Sequence, residues 1–198
     1  MIGAWSVINP GRKRTILCIG GSNTFGYDPR SYLGSRYPAE VRWTDRLAGW
    51  KVINCGVNGM TVPREAGVYL QAIRGNVPDL IIVMLGINDL LEGKTAAQTA
   101  DRMESFLSSL SGAGIPILLI APPRLQSGEW IQDGSLTEES LKLGEQYREL
   151  AERTGCRFAD AGEWEIEMTF DGVHFSSAGH LVFAEKLEDC LCTNAAHG

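Results

Sequence analysis

Thr15-Ile16-Leu17-Cys18-Ile19-Gly20-Gly21-Ser22-Asn23-Thr24-Phe25-Gly26 is the stretch on which the reading of this chain turns. Five uncharged, β-prone residues form a run of strand length. Two glycines, a serine and further small residues then end it. The same sequence of events recurs. Further β-rich runs occupy Lys51–Asn54, Leu80–Leu85, Ile115–Ile120 and Arg157–Asp160, and segments of helical spacing separate them. Pro38–Trp50 opens on a proline suited to a first helical turn. Thr95-Ala-Ala-Gln98 fits a capping box, after which Met103, Phe106, Leu107 and Leu110 mark one buried face. Thr137–Thr154 is a charged amphipathic helix ending at Gly155, a C-cap candidate, and Ser177–Cys192 reads as the last helix. Strands alternating with helices predict an α/β sandwich around a parallel sheet. The middle strands are apolar throughout, as burial on both faces requires. The expected strand order is the flavodoxin-like 2-1-3-4-5, with ligands bound beyond the carboxyl ends of the strands.

Length and composition bound the rest. A chain of 198 residues suits one domain, 1–198, with a core from about 15 to 192. With 44% hydrophobic and 21% charged residues, the balance is that of a soluble globular protein. A net charge of −6 provides no electrostatic footprint for nucleic acid or anionic lipid, and it only weakly favours a small or neutral substrate. Met1–Pro10 lacks the basic and apolar regions of a signal peptide. No apolar run approaches the roughly 20 residues of a membrane span. The five cysteines are odd in number, Cys18 sits inside a strand, and Cys190 and Cys192 are too close for easy bridging. They read as reduced thiols of a cytoplasmic protein. The absence of a CxxC pair and a total of three histidines argue against zinc.

The loops after the strands carry the chemistry. Gly20–Gly26 follows the first strand, Asn54–Gly59 the second and Gly86-Ile87-Asn88-Asp89 the third. Asp171-Gly172-Val173-His174-Phe175 lies just before the last helix. Together they bring a hydroxyl, an imidazole, a carboxylate and several amide donors to one edge, which is the equipment of acyl transfer. Ser22, a weak nucleophile alone, needs a base, and His174 is the natural one. Asp171 lies three residues before His174, so one tight turn over Gly172 can hold both. The N–H groups of Ser22 and Gly59 and the side-chain amide of Asn88 are candidate oxyanion donors.

These four loops resemble, in order and spacing, the blocks that define the SGNH (GDSL-like) hydrolases. Gly20-Gly21-Ser22 resembles the first block, usually Gly-Asp-Ser; Gly59 resembles the glycine of the second. Gly86-Ile87-Asn88-Asp89 matches Gly-x-Asn-Asp, and Asp171-Gly172-Val173-His174 matches Asp-x-x-His. The resemblance runs from residue 15 to about 190. Val41-Arg42-Trp43-Thr44 further resembles the arylesterase and acyltransferase branch, which acts on small acyl esters. The resemblance implies a three-layer α/β/α fold, a serine esterase and no cofactor. The chain departs from it at Gly21, where the family carries an aspartate that helps tie the active-site loops together. Asn23, in place of the common leucine, could rebuild some of those hydrogen bonds.

Other residues have plainer readings. His180 falls in the last helix and His197 in the tail, neither with an aspartate three residues before it. Asp160 could orient a base but is less well spaced than Asp171. Asp89 reads as a loop anchor. Glu163, Glu165 and Glu167 alternate with Trp164 and Ile166 as a solvated face does. The long loops Tyr27–Tyr37, with Tyr32 and Arg36, and Pro122–Leu136, with Arg124, Trp130 and Asp133, are expected to shape the acyl and alcohol pockets. Tyr27 and Trp130 are the candidates for substrate contact, and Trp130 would equally suit a homo-oligomer contact. Two rivals use the same fold. A phosphate- or flavin-binding module would have no need of Asp171, His174 or Asn88. A hydrolase degenerate at Gly21 and kept for protein contact would not react with a serine-directed phosphonate. An α/β-hydrolase is disfavoured, because Gly20–Thr24 lacks the second glycine of a Gly-x-Ser-x-Gly elbow.

Overall fold

The computed structural model describes residues 13–193 except 32 and 133. Tyr32, Asp133, His197 and the segment Met1–Pro10 thus lie outside the described residues. Five parallel strands, β1 (Arg14–Gly20), β2 (Trp50–Gly56), β3 (Leu80–Met84), β4 (Ile117–Ala121) and β5 (Arg157–Asp160), form one sheet in the order β2-β1-β3-β4-β5. This is the expected 2-1-3-4-5. Successive side chains of a strand face opposite ways, and the core divides accordingly. Leu17, Ile19, Ile81, Val83 and Leu119 pack on one face with α3 (Gly67–Asn76), α5 (Ala96–Ser111) and α6 (Gly134–Thr154). Ile16, Cys18, Ile82, Leu118 and Ile120 pack on the other with α2 (Trp43–Arg46) and α7 (Ser177–Thr193). Three layers result. Two short helices sit at the carboxyl edge of the sheet: α1 (Ser22–Phe25) after β1 and α4 (Ile87–Leu91) after β3. Among the described residues no helix is long and apolar enough to cross a membrane.

The capping box forms as read: the Gln98 N–H donates to Thr95 Oγ1 at 3.2 Å, and the Thr95 N–H to Gln98 Oε1 at 3.0 Å. Met103, Phe106, Leu107 and Leu110 are all buried. The expected helix over Pro38–Trp50 shrinks to the single turn of α2. Leu47 is extended and Gly49 has φ +77°, so the chain leaves the helix and turns directly into β2. Trp43 and Leu47 reach the core without a longer helix to carry them. A β-bridge between Tyr27 and Arg36 closes the loop after α1 on itself.

Candidate active site

Ser22 stands where β1 ends and α1 begins. Gly21 adopts an extended conformation, and its carbonyl accepts the N–H groups of Thr24 (3.1 Å) and Phe25 (2.9 Å), so the strand passes into a helical turn within two residues. Gly56, at the end of β2, packs directly against that turn. A Cβ on it would fall 2.3 Å from the Phe25 nitrogen and 2.7 Å from the Thr24 carbonyl carbon. Asn54 fastens the contact, donating from Nδ2 to the Thr24 carbonyl at 2.7 Å and accepting the Gly56 N–H at 2.8 Å. A serine at a helix N-terminus has an N–H with no helical acceptor. Ser22 lines a cleft together with Gly21, Asn23, Met60, Ile87, Asn88 and Pro123 among others. Ser22 is buried, and its side chain makes no hydrogen bond among the described residues.

Asn88 lies on α4, entered through Gly86 at φ +118°. One of its two side-chain N–H groups donates to the Met60 carbonyl at 2.9 Å. An amide has two such donors, so the second remains for the cleft that Asn88 lines. The bond also ties α4 to the loop after β2, in which Gly59 immediately precedes Met60. Gly59 itself does not line the cleft; at φ +71°, its N–H has no acceptor among the described residues. Asp89 is fully buried and accepts the Val62 N–H at 2.8 Å, with Arg102 at 3.5 Å and Lys94 at 3.8 Å. Burial pushes its carboxyl above the usual range, against the Val62 bond and the two cations. It anchors the loop.

Asp171 and His174 share a turn that hydrogen-bonds within itself. Asp171 Oδ1 accepts from Thr169 Oγ1, the Val173 N–H and the His174 N–H, each at 2.9 Å, and Oδ2 sits 2.7 Å from His174 Nδ1. Gly172 turns the chain at φ +78°; a Cβ there would meet the Gln126 carbonyl oxygen at 2.1 Å. Both side chains are buried. Burial raises the Asp171 carboxyl, but the His174 imidazole and the two backbone N–H bonds outweigh it and bring it down to about 2. Asp171 therefore stays ionised and holds Nδ1 of the imidazole, directing Nε2 elsewhere. The rings of Tyr27 and Trp130 meet His174 edge-on, with centroids 4.8 and 5.3 Å away. Trp130 remains 54% exposed and Phe170, beside the same turn, 51%.

Two clusters thus form, Ser22 with Asn88 and Met60, and Asp171 with His174, Tyr27 and Trp130. Asn23 joins them, donating from Nδ2 to the Val173 carbonyl at 3.0 Å and accepting the Phe175 N–H on Oδ1 at 2.9 Å. Asp160 stands apart, accepting the Gly162 N–H and facing Arg148. Thr169 was not singled out by its spacing, since a threonine two residues before an aspartate is ordinary. His180 is fully buried, and neither ring nitrogen has a hydrogen-bond partner. Among the described residues no group of three or more His, Cys, Asp or Glu could hold a metal ion.

A parallel sheet with a serine, an imidazole–carboxylate pair and amide donors at its carboxyl edge defines the class of carboxylic ester hydrolases. Residues 18–182 match the model of the GDSL-like lipase/acylhydrolase family, and the chain belongs to that family. An acetylxylan esterase of Geobacillus stearothermophilus is 26% identical over 155 residues, covering 69% of each chain. Among solved structures, a carbohydrate acetylesterase from Sinorhizobium meliloti superposes with a TM-score of 0.77 at 29% identity, covering 91% of this chain and 99% of that one. The M. smegmatis aryl esterase superposes with a TM-score of 0.77 at 26% identity, with the same coverage.

Proposed function

We propose that this protein hydrolyses esters of small acyl groups, acetyl foremost, with Ser22 as nucleophile, His174 as general base and Asp171 as its orienter. The reading is carried by the 2.7 Å pairing of Asp171 with His174 on a turn that Asn23, the neighbour of Ser22, grips on both sides. As the Ser22 oxygen attacks the ester carbonyl, His174 Nε2 takes its proton. Asp171 keeps the other ring proton on Nδ1 and stabilises the cation. The Ser22 N–H and the second Asn88 N–H receive the negative oxygen, and the Gly59 N–H joins them only if the loop before the cleft-lining Met60 turns it inward. The intermediate collapses, and His174 returns the proton to the departing alcohol. Water then attacks the acyl-enzyme with His174 again as base, releasing the acid. An alcohol in place of that water would give transesterification. The Ser22 hydroxyl makes its bond to His174 as substrate is engaged; catalytic bonds of this kind often tighten only in the complex.

The cleft beside Ser22, bordered by Met60, Ile87, Asn88 and Pro123, would receive the acyl group. Tyr27 and Trp130, which border the imidazole that protonates the leaving group, would contact the alcohol. Acetylated sugars, in keeping with the names of two relatives, are the alcohol class to try first.

The decisive experiment is hydrolysis of p-nitrophenyl acetate by the purified chain and by Ser22→Ala. The wild type should turn over and Ser22→Ala should not; a serine-directed phosphonate should add one adduct, located on Ser22. Unchanged turnover in Ser22→Ala would overturn the assignment.

A further inference from the structure

Every hydrogen bond of the Asp171 carboxylate stays within residues 169–174. That carboxylate therefore fixes the imidazole relative to its own turn, but leaves the turn as a whole unplaced with respect to Ser22. The backbone bonds from Gln126 to the Gly172 carbonyl (3.0 Å) and from Trp130 to the Asp171 carbonyl (3.2 Å) tie the turn to the loop after β4, again not to the nucleophile. The side chain that crosses from the nucleophile's helix to the base's turn is Asn23. Its amide presents a donor and an acceptor side by side. They match the carbonyl before residue 174 and the N–H after it, so the backbone of His174 is held from both sides. The backbone of Asn23 is itself fixed, because the indole Nε1 of the buried Trp43 donates to its main-chain carbonyl at 2.9 Å. Gly21, with no side chain, contributes nothing to this link; a Cβ there would face the Asn88 amide and the Met60 carbonyl instead.

We infer that Asn23 is a positioning residue that sets the distance between Ser22 and His174. This rests on the assignment of those two residues as nucleophile and base. Asparagine is specifically required. Leucine offers neither group. Aspartate keeps the acceptor for the Phe175 N–H, but sets a carboxylate against the Val173 carbonyl. A displacement of about 1 Å in a reacting pair costs on the order of 10²-fold in rate. Asn23 also borders the cleft, but its side-chain oxygen and one N–H are engaged with the turn, so losing the link acts first on the reacting pair. Loss of the link should therefore appear chiefly in kcat, with at most a small change in KM.

The test compares wild type, Asn23→Ala and the isosteric Asn23→Asp on p-nitrophenyl acetate. Active sites are counted by phosphonate labelling, and amide hydrogen exchange is followed by NMR. Expected are a fall in kcat per labelled site of roughly 10- to 100-fold, KM within threefold of wild type, and phosphonate inactivation slowed in step. The Phe175 N–H should exchange at least tenfold faster in Asn23→Ala, while the Val173 and His174 N–H groups, bonded to Asp171, keep their protection. A kcat per labelled site within threefold of wild type in both variants would overturn the inference. So would a loss expressed only as fewer labelled sites. An inactive, unlabelled wild type would instead sink the esterase reading. The exchange of Phe175 would then still decide whether Asn23 holds the turn, and unchanged exchange would refute it.

Discussion

Asp171 accepts four hydrogen bonds from three neighbouring residues, one of them from the imidazole it orients. Asparagine at this position would fill the same space but present an N–H toward Nδ1, forcing the ring into the wrong tautomer for accepting a proton at Nε2. The expected outcome for Asp171→Asn is a fall in kcat of roughly 10³–10⁴-fold with little change in KM, by analogy with the serine-protease aspartate. Steady-state kinetics on p-nitrophenyl acetate checks it, and a loss of less than tenfold would mean that Asp171 serves the turn alone. At this scale the sequence was partly legible. The spacing of Asp171 and His174 reveals their pairing because both partners sit on one turn. The partners of Asn23 lie 150 and 152 residues away. No local pattern can show them, so only the possibility of such bonds could be read.

The middle strands β3 and β4 were easier to read than helices because burial on both faces leaves them apolar throughout, and all five strands emerge within a few residues of their expected limits. The helix expected over Pro38–Trp50 reduced to one turn because its proline start and apolar residues are compatible with helix without requiring it; the extended Leu47 ends it, and Gly49, left-handed, turns the chain into β2. The four-residue α1 has no periodicity to detect; close approach of a second element makes it. Gly56 is the point of that approach, and it gives a prediction at this scale. In Gly56→Ala the new methyl would lie against the backbone of Thr24 and Phe25, which cannot swing aside as a long side chain can. Relief requires α1 to move, and Ser22 moves with it. Overpacking of this kind costs about 1–3 kcal/mol. Denaturant unfolding should show that loss, and kcat should fall in the fraction that remains folded. Full activity with unchanged stability would mean that β2 yields instead of α1.

For the molecule as a whole, the strand order was legible because alternation and crossover handedness leave few topologies. The convergence of four distant loops followed from it, since all leave the same edge of the sheet. The interior beside α7 was not legible. His180 reads as one more residue of an amphipathic helix, yet it lies fully buried with Tyr37 and Phe175 edge-on, 5.2 and 5.3 Å away. Burial first, and then the charge of Arg42, lower its pKa from about 6.5 to about 4, with Asp28 pulling weakly the other way. The unfolded chain binds this proton near pH 6.5 and the folded one only near 4. Stability therefore falls on acidification between those limits, by about 3 kcal/mol in all. Asp171 acts in the next window. Its folded pKa of about 2 lies below the ordinary 3.8, so the stability it contributes is intact above pH 4 and is lost as the pH falls toward 2. Replacing His180 by leucine, a side chain of similar size without a proton to gain, should flatten the first window and leave the second. Thermal unfolding of wild type and His180→Leu at pH 7, 4 and 2 separates the two. The wild type should lose Tm in both steps, and His180→Leu chiefly below pH 4. Parallel curves for the two proteins would show that the buried imidazole is not what acid attacks first.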